Sequence, residues 1–291
     1  MKRGLFIGLV TLDCIYQADH PPAANEKVVA TQAMMAAGGP ATNAALAFRQ
    51  LGPHQTTILG ALGNHPLAAL VREDLARYQV ELVDLSPQRD SPPPISSIVV
   101  SAATGDRAVI SRNAVDRQHR SDLPSPDLLN DVDIVLVDGH QMAVGAMLTA
   151  SAQARNILVV VDAGSWKPNF DQVLRCANVV IASANFALPD GSDPIPYLES
   201  LGIEQIAITQ GGQPIQVSQH GKHTQLEVPQ VKLVDTLGAG DIFHGAFCHF
   251  YPEHPFESAL TAASQVAAFA CQYFGTRAWI APFGEKAERK V

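Results

Sequence analysis

Short, almost uniformly apolar runs alternate with longer segments of helical periodicity along most of the chain. The runs rich in β-branched residues predict strands at Leu5–Thr11, Thr57–Leu62, Ile134–Asp138, Leu158–Asp162, Val179–Ala182 and Ile206–Thr209. Continuous apolarity is typical of strands that are covered on both faces of a parallel sheet. Helical periodicity between them predicts helices at Pro40–Leu51, Leu67–Tyr78, Val144–Arg155 and Ser258–Phe274. This alternation predicts one three-layer α/β/α domain over residues 1–291.

Two segments interrupt the alternation, because each is extended and punctuated by turns without a following helix. They cover residues 14–36 and 95–113, and the second contains a hairpin-like turn at Thr104-Gly105-Asp106. We interpret them as strands of a small second β-sheet that two excursions from the same domain build together. Ordinary surface loops are the alternative that the pattern leaves open.

The composition limits the classes of partner. Apolar residues make up 47% of the 291 residues and charged residues 16%, which allows a full core and excludes global disorder. The net charge of −8 argues against nucleic acid or an anionic membrane as the main partner. No apolar run is long enough to span a membrane, and the basic, then apolar start lacks the cleavage site of a signal peptide. The four cysteines show no metal-ligand spacing, which indicates free thiols in a reducing, cytoplasmic compartment.

A glycine-rich turn precedes a strongly apolar segment in VDTLGAGDIFHGAF, residues 234–247. The small residues Gly238, Ala239 and Gly240 would let the first backbone N–H groups of a helix face a bound anion. A carboxylate would repel that anion, so Asp241 is better explained as a general base that deprotonates an attacking hydroxyl. A tight turn with a favourable first-turn acid is the simpler alternative, and this stretch alone does not decide between the two.

A second stretch, AAGGPATNAALAFRQLG at residues 36–52, places Gly38 and Gly39 just before a predicted helix that carries Asn43. Adjacent glycines let the backbone approach a small polar ligand, and the asparagine offers one acceptor and two donors. Together and in this order, the two stretches resemble the two signatures of the ribokinase-like (PfkB) carbohydrate kinases. The resemblance covers nearly the whole chain, and the two excursions match the substrate lid of that family. GLVTLDCIY and GTRAWI are most similar to the sulfofructose kinase and fructokinase-like branch.

The resemblance implies an acceptor site. Asp241 matches the catalytic base of the family, and the amides of the turn before it match the hole that stabilises the transferred phosphoryl group. The residues that match sugar-contacting positions are Asp13, at the end of the first predicted strand, Gly38, Gly39 and Asn43. Lys27 is a candidate for the lid lysine that reads an anionic end of the substrate in the sulfofructose branch. Where an arginine is expected beside it, His140 stands, so Arg112 and Arg277 are the remaining candidates.

The resemblance also implies ATP as the phosphoryl donor. Thr209 and Gly211 in ITQGGQPI match the nucleotide loop of the family, but Pro214 stands where the last glycine is usual. We expect Gly212 to serve instead through a shifted turn.

The resemblance also implies metal ions, but the chain departs from the family pattern at one metal-related position. Many members carry N-x-x-E after a late strand, and its acid acts on Mg²⁺ through water. Asn185 matches the asparagine, but Leu188 replaces the acid, so no Mg²⁺ ligand is assigned, although Mg·ATP is expected. Asp235 matches a position that often helps to hold a monovalent cation, which would be K⁺.

We therefore expect an ATP-dependent kinase that phosphorylates a primary hydroxyl of a small sugar, either ribose or a ketohexose such as fructose or sulfofructose. The small sheet would close over the sugar and pair between protomers in a homodimer. One alternative is a nucleoside kinase of the same superfamily, although the lid stretches offer only Tyr16 as an aromatic. The other is a non-catalytic sugar- or nucleotide-sensing protein, which only the departure at Leu188 supports.

Overall fold

The computed structural model describes residues 1–113, 116–119 and 122–288. Its strands are β1 (Arg3–Ile7), β2 (Thr11–Ala18), β3 (Gln32–Gly38), β4 (Gln55–Gly60), β5 (Glu81–Asp84), β6 (Ile95–Ser101), β7 (Arg107–Ser111), β8 (Ile134–Val137), β9 (Leu158–Ala163), β10 (Val179–Ser183), β11 (Gln205–Gln210), β12 (Gln213–Gln219) and β13 (Lys222–Leu226). Its helices are α1 (Pro40–Gln50), α2 (Ala68–Arg77), α3 (Met142–Ala154), α4 (Phe170–Leu174), α5 (Pro194–Ser200), α6 (Ala239–Phe250), α7 (Phe256–Ala270) and α8 (Ile280–Glu288).

A large central sheet has the strand order β13-β12-β11-β10-β9-β8-β1-β4-β5. Pairing is parallel from β11 to β5, whereas β12 and β13 are added antiparallel at one edge. Successive strand residues point to opposite faces, so Phe6 joins one apolar cluster while Leu5 and Ile7 join the other. Helices cover both faces, which confirms the predicted three-layer α/β/α fold. The carboxyl ends of the parallel strands share one edge, where ligands of such sheets usually bind.

The first predicted strand is too long. β1 ends at Ile7 rather than at Thr11, because the carboxylate of Asp138 fills the space beside Gly8. Oδ2 of Asp138 also accepts the N–H of Leu9 at 2.9 Å, which takes that group out of the ladder. The chain therefore leaves the central sheet before Asp13, which lies in β2 and not at the end of the first strand.

The two excursions form a separate small sheet, as predicted, with the strand order β3-β2-β6-β7. β2 and β6 run parallel, whereas β3 and β7 pair antiparallel at the two edges. The sheet begins at Thr11, three residues before the predicted boundary at Cys14. In the turn from β6 to β7, the carbonyl of Gly105 accepts the N–H of Thr236 at 3.2 Å, so the small sheet touches the loop before α6.

The long helix predicted at Ser258–Phe274 is α7, which begins at Phe256 and ends at Ala270. All four cysteines are free thiols, although Cys14 and Cys176 are half-buried and only Cys248 and Cys271 are fully buried. Across the described ranges, no helix has the length and apolarity that crossing a membrane requires.

Candidate active site

Helices α1 and α6 approach each other closely and bring residues from distant parts of the chain together. A Cβ at Gly245 would overlap the carbonyl oxygen of Ala44, so only glycine allows this approach. Asn43 in the first turn of α1 therefore lies beside Asp241 in the first turn of α6. Nδ2 of Asn43 donates a hydrogen bond to Oδ2 of Asp241 at 2.9 Å. The two glycine-rich stretches meet at this hydrogen bond.

Asp13 lies against the paired glycines. A Cβ at Gly38 would overlap the carboxylate of Asp13, and a Cβ at Gly39 would overlap the carbonyl of Leu9. Gly39 also has a φ of 105°, which side chains other than hydrogen rarely tolerate. The carboxyl group of Asp13 is buried, and its Oδ1 has no hydrogen-bond partner among the described residues. Such an oxygen is an acceptor that a ligand hydroxyl can satisfy.

Three carboxyl groups crowd this region and influence each other. Burial raises the pKa of Asp13 to about 6, and the charge of Asp241 adds to the rise. Burial is the main cause that raises the pKa of Asp241, and the charge of Asp162 at the end of β9 adds to the rise. The hydrogen bond from Asn43 lowers the pKa of Asp241. A carboxyl group whose pKa moves toward neutrality is suited to accept a proton at physiological pH.

His244 lies on α6 one turn after Asp241 and is buried. Its Nδ1 is 2.7 Å from the carbonyl oxygen of Gly240, and its Nε2 is 3.3 Å from the carbonyl oxygen of Ile181. Nε2 is also 3.7 Å from Oδ1 of Asp162. His244 therefore packs between helix and sheet, beside the acidic cluster.

Asp138, which the sequence analysis did not single out, holds the start of α1. Its Oδ2 accepts the N–H groups of Leu9 and Ala41 at 2.9 and 3.1 Å, and its Oδ1 accepts the N–H of His140 at 2.8 Å. Burial opposes its ionisation, but the charge and hydrogen bond of His140 and the N–H of Leu9 lower the pKa of Asp138 to about 2. This ionised carboxylate fixes the loop that carries the paired glycines.

A cavity of about 510 Å³ opens at the carboxyl ends of β10 and β11, beside the first turn of α6. Ala239 and Gly240 border it, and Phe243 with residues of α7 forms an apolar wall. Gly238 caps the helix in the left-handed conformation, and no side chain occupies the first N–H groups. The N–H of Ala239 donates to the carbonyl of Thr236 at 3.3 Å, so among the described residues the N–H groups of Gly240 and Asp241 are the unoccupied donors at this helix end. We call this cavity the donor cavity.

The predicted nucleotide-loop residues Thr209, Gly211 and Gly212 all line the donor cavity. Gly211 has a φ of 60° and forms, with Gly212, the turn from β11 into the antiparallel β12. Pro214 is the second residue of β12 and lies outside that turn. Gly211 and Gly212 therefore form this turn without Pro214, and the shifted nucleotide loop stays a prediction.

The two residues at the N-x-x-E positions, Asn185 and Leu188, lie in different surroundings. Asn185 lines the donor cavity, whereas Leu188 is only 5% exposed and packs in the same apolar cluster as Phe186 and Ile195. This loop therefore directs no carboxylate toward the cavity from that position. Within residues 1–113, 116–119 and 122–288, no group of three or more His, Cys, Asp or Glu is arranged to hold a metal ion.

Asp235 is buried in the loop before α6. Its Oδ1 accepts the N–H of Leu237 at 2.8 Å, and its Oδ2 accepts the N–H of Gly275 at 2.7 Å. Burial raises the pKa of Asp235. Both oxygens thus tie two loops together, and the cation suggested for this position stays a prediction.

The candidate residues for an anionic substrate end lie apart from this site. Lys27 is exposed, and the side chain of Arg112 is 85% exposed at 4.0 Å from Asp116. Neither residue lines the donor cavity. Arg277 is buried, and its guanidinium is engaged by Asp74, Asn43 and backbone groups, so it is not available to hold an anion.

Sequence reasoning missed two further cationic side chains. Arg107 of β7 lines the donor cavity and donates to Oγ1 of Thr236 at 3.3 Å. Lys167, after β9, lines a second cavity of about 670 Å³ together with Asn113, Gln118 and His140. Lys167, like Asp138 and Asp162, follows the end of a predicted parallel strand, and that position was the available signal. Nothing in the local pattern around Arg107 points to a site.

Comparisons with known proteins show the family of the chain. A sequence model of the family described as pfkB family carbohydrate kinase matches residues 1–282. A ribokinase of Bacillus subtilis is 23% identical over 285 residues, which is 95% of each chain. The fructosamine kinase FrlD of the same organism is 26% identical over 84% of this chain and 87% of its own length.

Solved structures share the fold. The structure of ribokinase from Giardia lamblia superposes with a TM-score of 0.82 at 16% identity and covers both chains completely. The structure of Arabidopsis thaliana ribokinase complexed with ribose and ATP superposes with a TM-score of 0.72 at 19% identity, over 94% of this chain and 93% of that one.

Proposed function

The chain belongs to the pfkB family of carbohydrate kinases, and we propose that it transfers the γ-phosphoryl group of ATP to a primary hydroxyl of a small sugar. One observation carries the proposal. Asp241, a carboxyl group with a raised pKa, directly follows Gly240 at the wall of the donor cavity, and its charge acts on Asp13, whose Oδ1 is unpartnered. A base at the boundary between a nucleotide site and a hydroxyl-binding site is what phosphoryl transfer to an alcohol needs.

In this proposal each group has one task. Oδ1 of Asp13 accepts a sugar hydroxyl, and the glycine pair lets the backbone contact the ring. Asp241 takes the proton of the attacking hydroxyl as the new oxygen–phosphorus bond forms and ADP leaves with the electron pair of the broken bond. The free N–H groups at the start of α6 stabilise the charge on the transferred phosphoryl group. Arg107, at the wall of the donor cavity, adds a positive charge near the phosphates.

Because no group of three or more metal-ligating side chains exists among the described residues, a divalent cation is proposed to enter bound to ATP. Asp162 and Asp241 repel each other when both carboxyl groups are ionised, and a cation near them would relieve this repulsion. Mg²⁺ bound with ATP would neutralise charge on the phosphates. Asp162 is the acid that we propose to act on Mg²⁺ in place of the one missing at Leu188. A K⁺ ion at the loop of Asp235 is a further part of the proposal.

The relatives shift the expected acceptor. The assignment to the sulfofructose kinase and fructokinase-like branch is not supported, because the relatives are mostly ribokinases, with a fructosamine kinase and an adenosine kinase among them. We therefore propose a pentose or a ketohexose derivative. The second cavity, at the carboxyl ends of β8 and β9, gives room for a polar substituent on the sugar, because Lys167 and His140 line it.

The small sheet is proposed to act as a lid within one kinase domain of residues 1–291 and as the contact of a homodimer. Val29, Met35 and Ile110 expose 77%, 60% and 80% of their surface on the small sheet and its connecting loop. Apolar surface of this kind is covered when a second copy packs against it. Light scattering of the purified protein would show a dimer, and the Ile110→Lys variant would shift it toward monomer.

The proposed function is tested by ADP release with Mg·ATP across a panel of ribose, fructose, fructosamine, sulfofructose, fructose 6-phosphate and adenosine. We expect turnover with one class of sugar, and a loss of about 10²–10⁴-fold in Asp241→Asn. The matched control is Glu257→Gln, because Glu257 is also a first-turn acid, on α7. That control should keep the activity.

Each outcome of the panel decides something. Turnover with adenosine alone would favour the nucleoside kinase over the sugar kinase. Sugar binding in a calorimeter without ADP release from any acceptor would overturn the kinase proposal and favour the sensing protein. Equal activity of the wild type and Asp241→Asn would remove Asp241 from the role of base.

A further inference from the structure

Arg277 is a buried cation outside the catalytic set, and its contacts lead to the base. Nε and Nη2 donate to Oδ2 of Asp74 in α2 at 3.2 and 3.0 Å. Nη1 donates to Oδ1 of Asn43 at 3.1 Å and to Oγ1 of Thr276 at 2.8 Å. Each nitrogen of the guanidinium thus has an acceptor, and the residue is only 5% exposed.

This contact decides which way the side-chain amide of Asn43 points. A guanidinium only donates hydrogen bonds, so the atom of Asn43 that faces it has to be the oxygen. The amide nitrogen is then directed to Oδ2 of Asp241, where it donates at 2.9 Å. Without the cation, the amide could rotate and present its oxygen to the carboxylate, which would repel it.

The orientation has a consequence for the base. The donor from Asn43 occupies Oδ2 of Asp241 and leaves Oδ1 to receive the proton of the substrate. It also favours the ionised carboxylate, against burial and against the nearby acids. The charged groups that influence Asp241 are Asp13 of β2, Asp162 of β9, His244 of α6 and Arg107 of β7.

The ion pair of Arg277 and Asp74 also holds β3, the strand that leads into Gly38 and Gly39. The N–H of Ala37 donates to Oδ2 of Asp74 at 2.9 Å, and the carbonyl of Ala37 accepts from Nη2 of Arg277. Ala37 is the residue before Gly38 in β3 and pairs with Leu12 of the small sheet. The pair of Asp74 and Arg277 therefore fixes both polar backbone groups of Ala37 where the small sheet joins α1.

We infer that Arg277 is a positioning residue which, through Asn43, sets the orientation of Asp241 and ties it to the strand that forms the sugar site. Asp74 completes the unit by holding the guanidinium. This inference rests on the proposed function, since Asp241 is taken as the base of the kinase.

The test follows the titration of Asp241 by carboxyl-carbon NMR, with its signal assigned by comparison with Asp241→Asn. In Arg277→Lys we expect the midpoint of the Asp241 titration to rise by roughly half a pH unit or more, because a lysine cannot hold both Asp74 and the side-chain amide of Asn43. Asn43→Ala should raise the midpoint as well. The double variant should match Asn43→Ala alone, because Arg277 acts through Asn43.

Kinetics supply the second readout. Arg277→Lys should lower kcat by about 10-fold with a smaller change in the KM for ATP, and the acid limb of the pH–rate profile should move to higher pH. The control is Arg72→Lys. Arg72 also lies on α2, and this variant alters its ion pair with Asp84 at the end of β5. It should leave both the Asp241 midpoint and kcat unchanged.

The possible results separate this inference from the proposed function. An unmoved Asp241 midpoint in a folded Arg277→Lys variant, or additive effects of the two substitutions, would overturn the positioning role whether or not the protein is a kinase. A raised midpoint in a protein that phosphorylates none of the panel compounds would support the positioning role and count against the kinase.

Discussion

The acceptor side and the donor side of the site are built in different ways. On the acceptor side, buried side chains hold each other: Asp138 fixes the glycine loop, and Asn43 holds Asp241. On the donor side, backbone turns and an apolar wall surround the cavity, and a Cβ at Gly240 or Gly211 would meet open space. Departures from the family pattern occur on both sides. Pro214 follows an open turn and Leu188 packs in an apolar cluster, whereas the acceptor side keeps Asp13, Gly38, Gly39 and Asn43 but has His140 where an arginine is expected.

The largest effect is expected for Gly39→Ala on the acceptor side. The φ of 105° and the overlap with the carbonyl of Leu9 should lower the free energy of unfolding by about 3 kcal/mol or more. Sugar binding should be lost with it. Urea unfolding and calorimetry measure the two effects.

The matched control lies on the donor side. In Gly212→Ala, the nearest atom to the new Cβ is Oε1 of Gln230 at 3.8 Å, so a change below about 1 kcal/mol is expected. Similar losses in the two variants would show that the two sides do not differ in rigidity.

Leu188→Glu restores the family acid on the donor side and should still destabilise the protein by about 2–4 kcal/mol, because it places a carboxyl group in the apolar cluster. Burial raises the folded pKa of such an acid, so the loss should grow as the pH rises above the unfolded value of about 4.3. Thermal melts at pH 4.5 and 8, with Leu188→Met as the control, measure this. A tighter Mg²⁺ dependence of activity without loss of stability would contradict it.

Asp13→Asn should separate stability from binding on the acceptor side. The pKa of Asp13 is about 6 in the folded protein and 3.8 as the ordinary value, so its contribution to stability is full below pH 3.8 and is lost as the pH rises through 6. At pH 7.5 the variant should therefore be more stable than the wild type by about 1–3 kcal/mol, with no gain at pH 3.5. Sugar affinity should fall by about 10-fold, because a charged acceptor is replaced. A variant that is less stable at pH 7.5 would show that the carboxylate is satisfied in the free protein.

Gly211→Ala should have the smallest effect. Its φ of 60° costs an alanine about 1 kcal/mol, and the surrounding space is open. Gly221 has a φ of 75°, also in open space, in the turn between β12 and β13. Gly221→Ala should lose the same stability, while only Gly211→Ala should raise the KM for ATP, by less than about 5-fold. An unchanged KM in both would remove Gly211 from the nucleotide site.

The sequence predicted the central strands well because continuous apolar runs identify parallel strands covered on both faces. It overestimated the first strand, because the contact of Asp138 with Gly8 and Leu9 joins residues far apart in the chain. It missed β12 and β13, which lie at one edge of the sheet and are rich in polar residues. In these strands apolar and polar residues alternate only weakly.

The candidate site shows the same limit. Glycine turns and the residues around them are local signals, so the sequence points to Gly38, Gly39, Asn43 and Asp241, and their functional roles stay predictions. Arg277 lies in the GTRAWI stretch and is a candidate for an anionic substrate end in the sequence, but its contacts with Asp74 and Asn43 are made only by the fold. Lys27 is predicted from the resemblance to a lid lysine and Arg112 as a remaining candidate arginine, and neither signal indicates which way a loop faces.

The close approach at Gly245 also affects how the molecule is made. The hydrogen bond between Asn43 and Asp241 joins residues 198 positions apart, and that between Arg277 and Asn43 joins residues 234 apart. Contacts of such high sequence separation close large loops and form slowly. During synthesis these contacts can be completed only after Arg277 has left the ribosome, when all the strands of the central sheet have already been made.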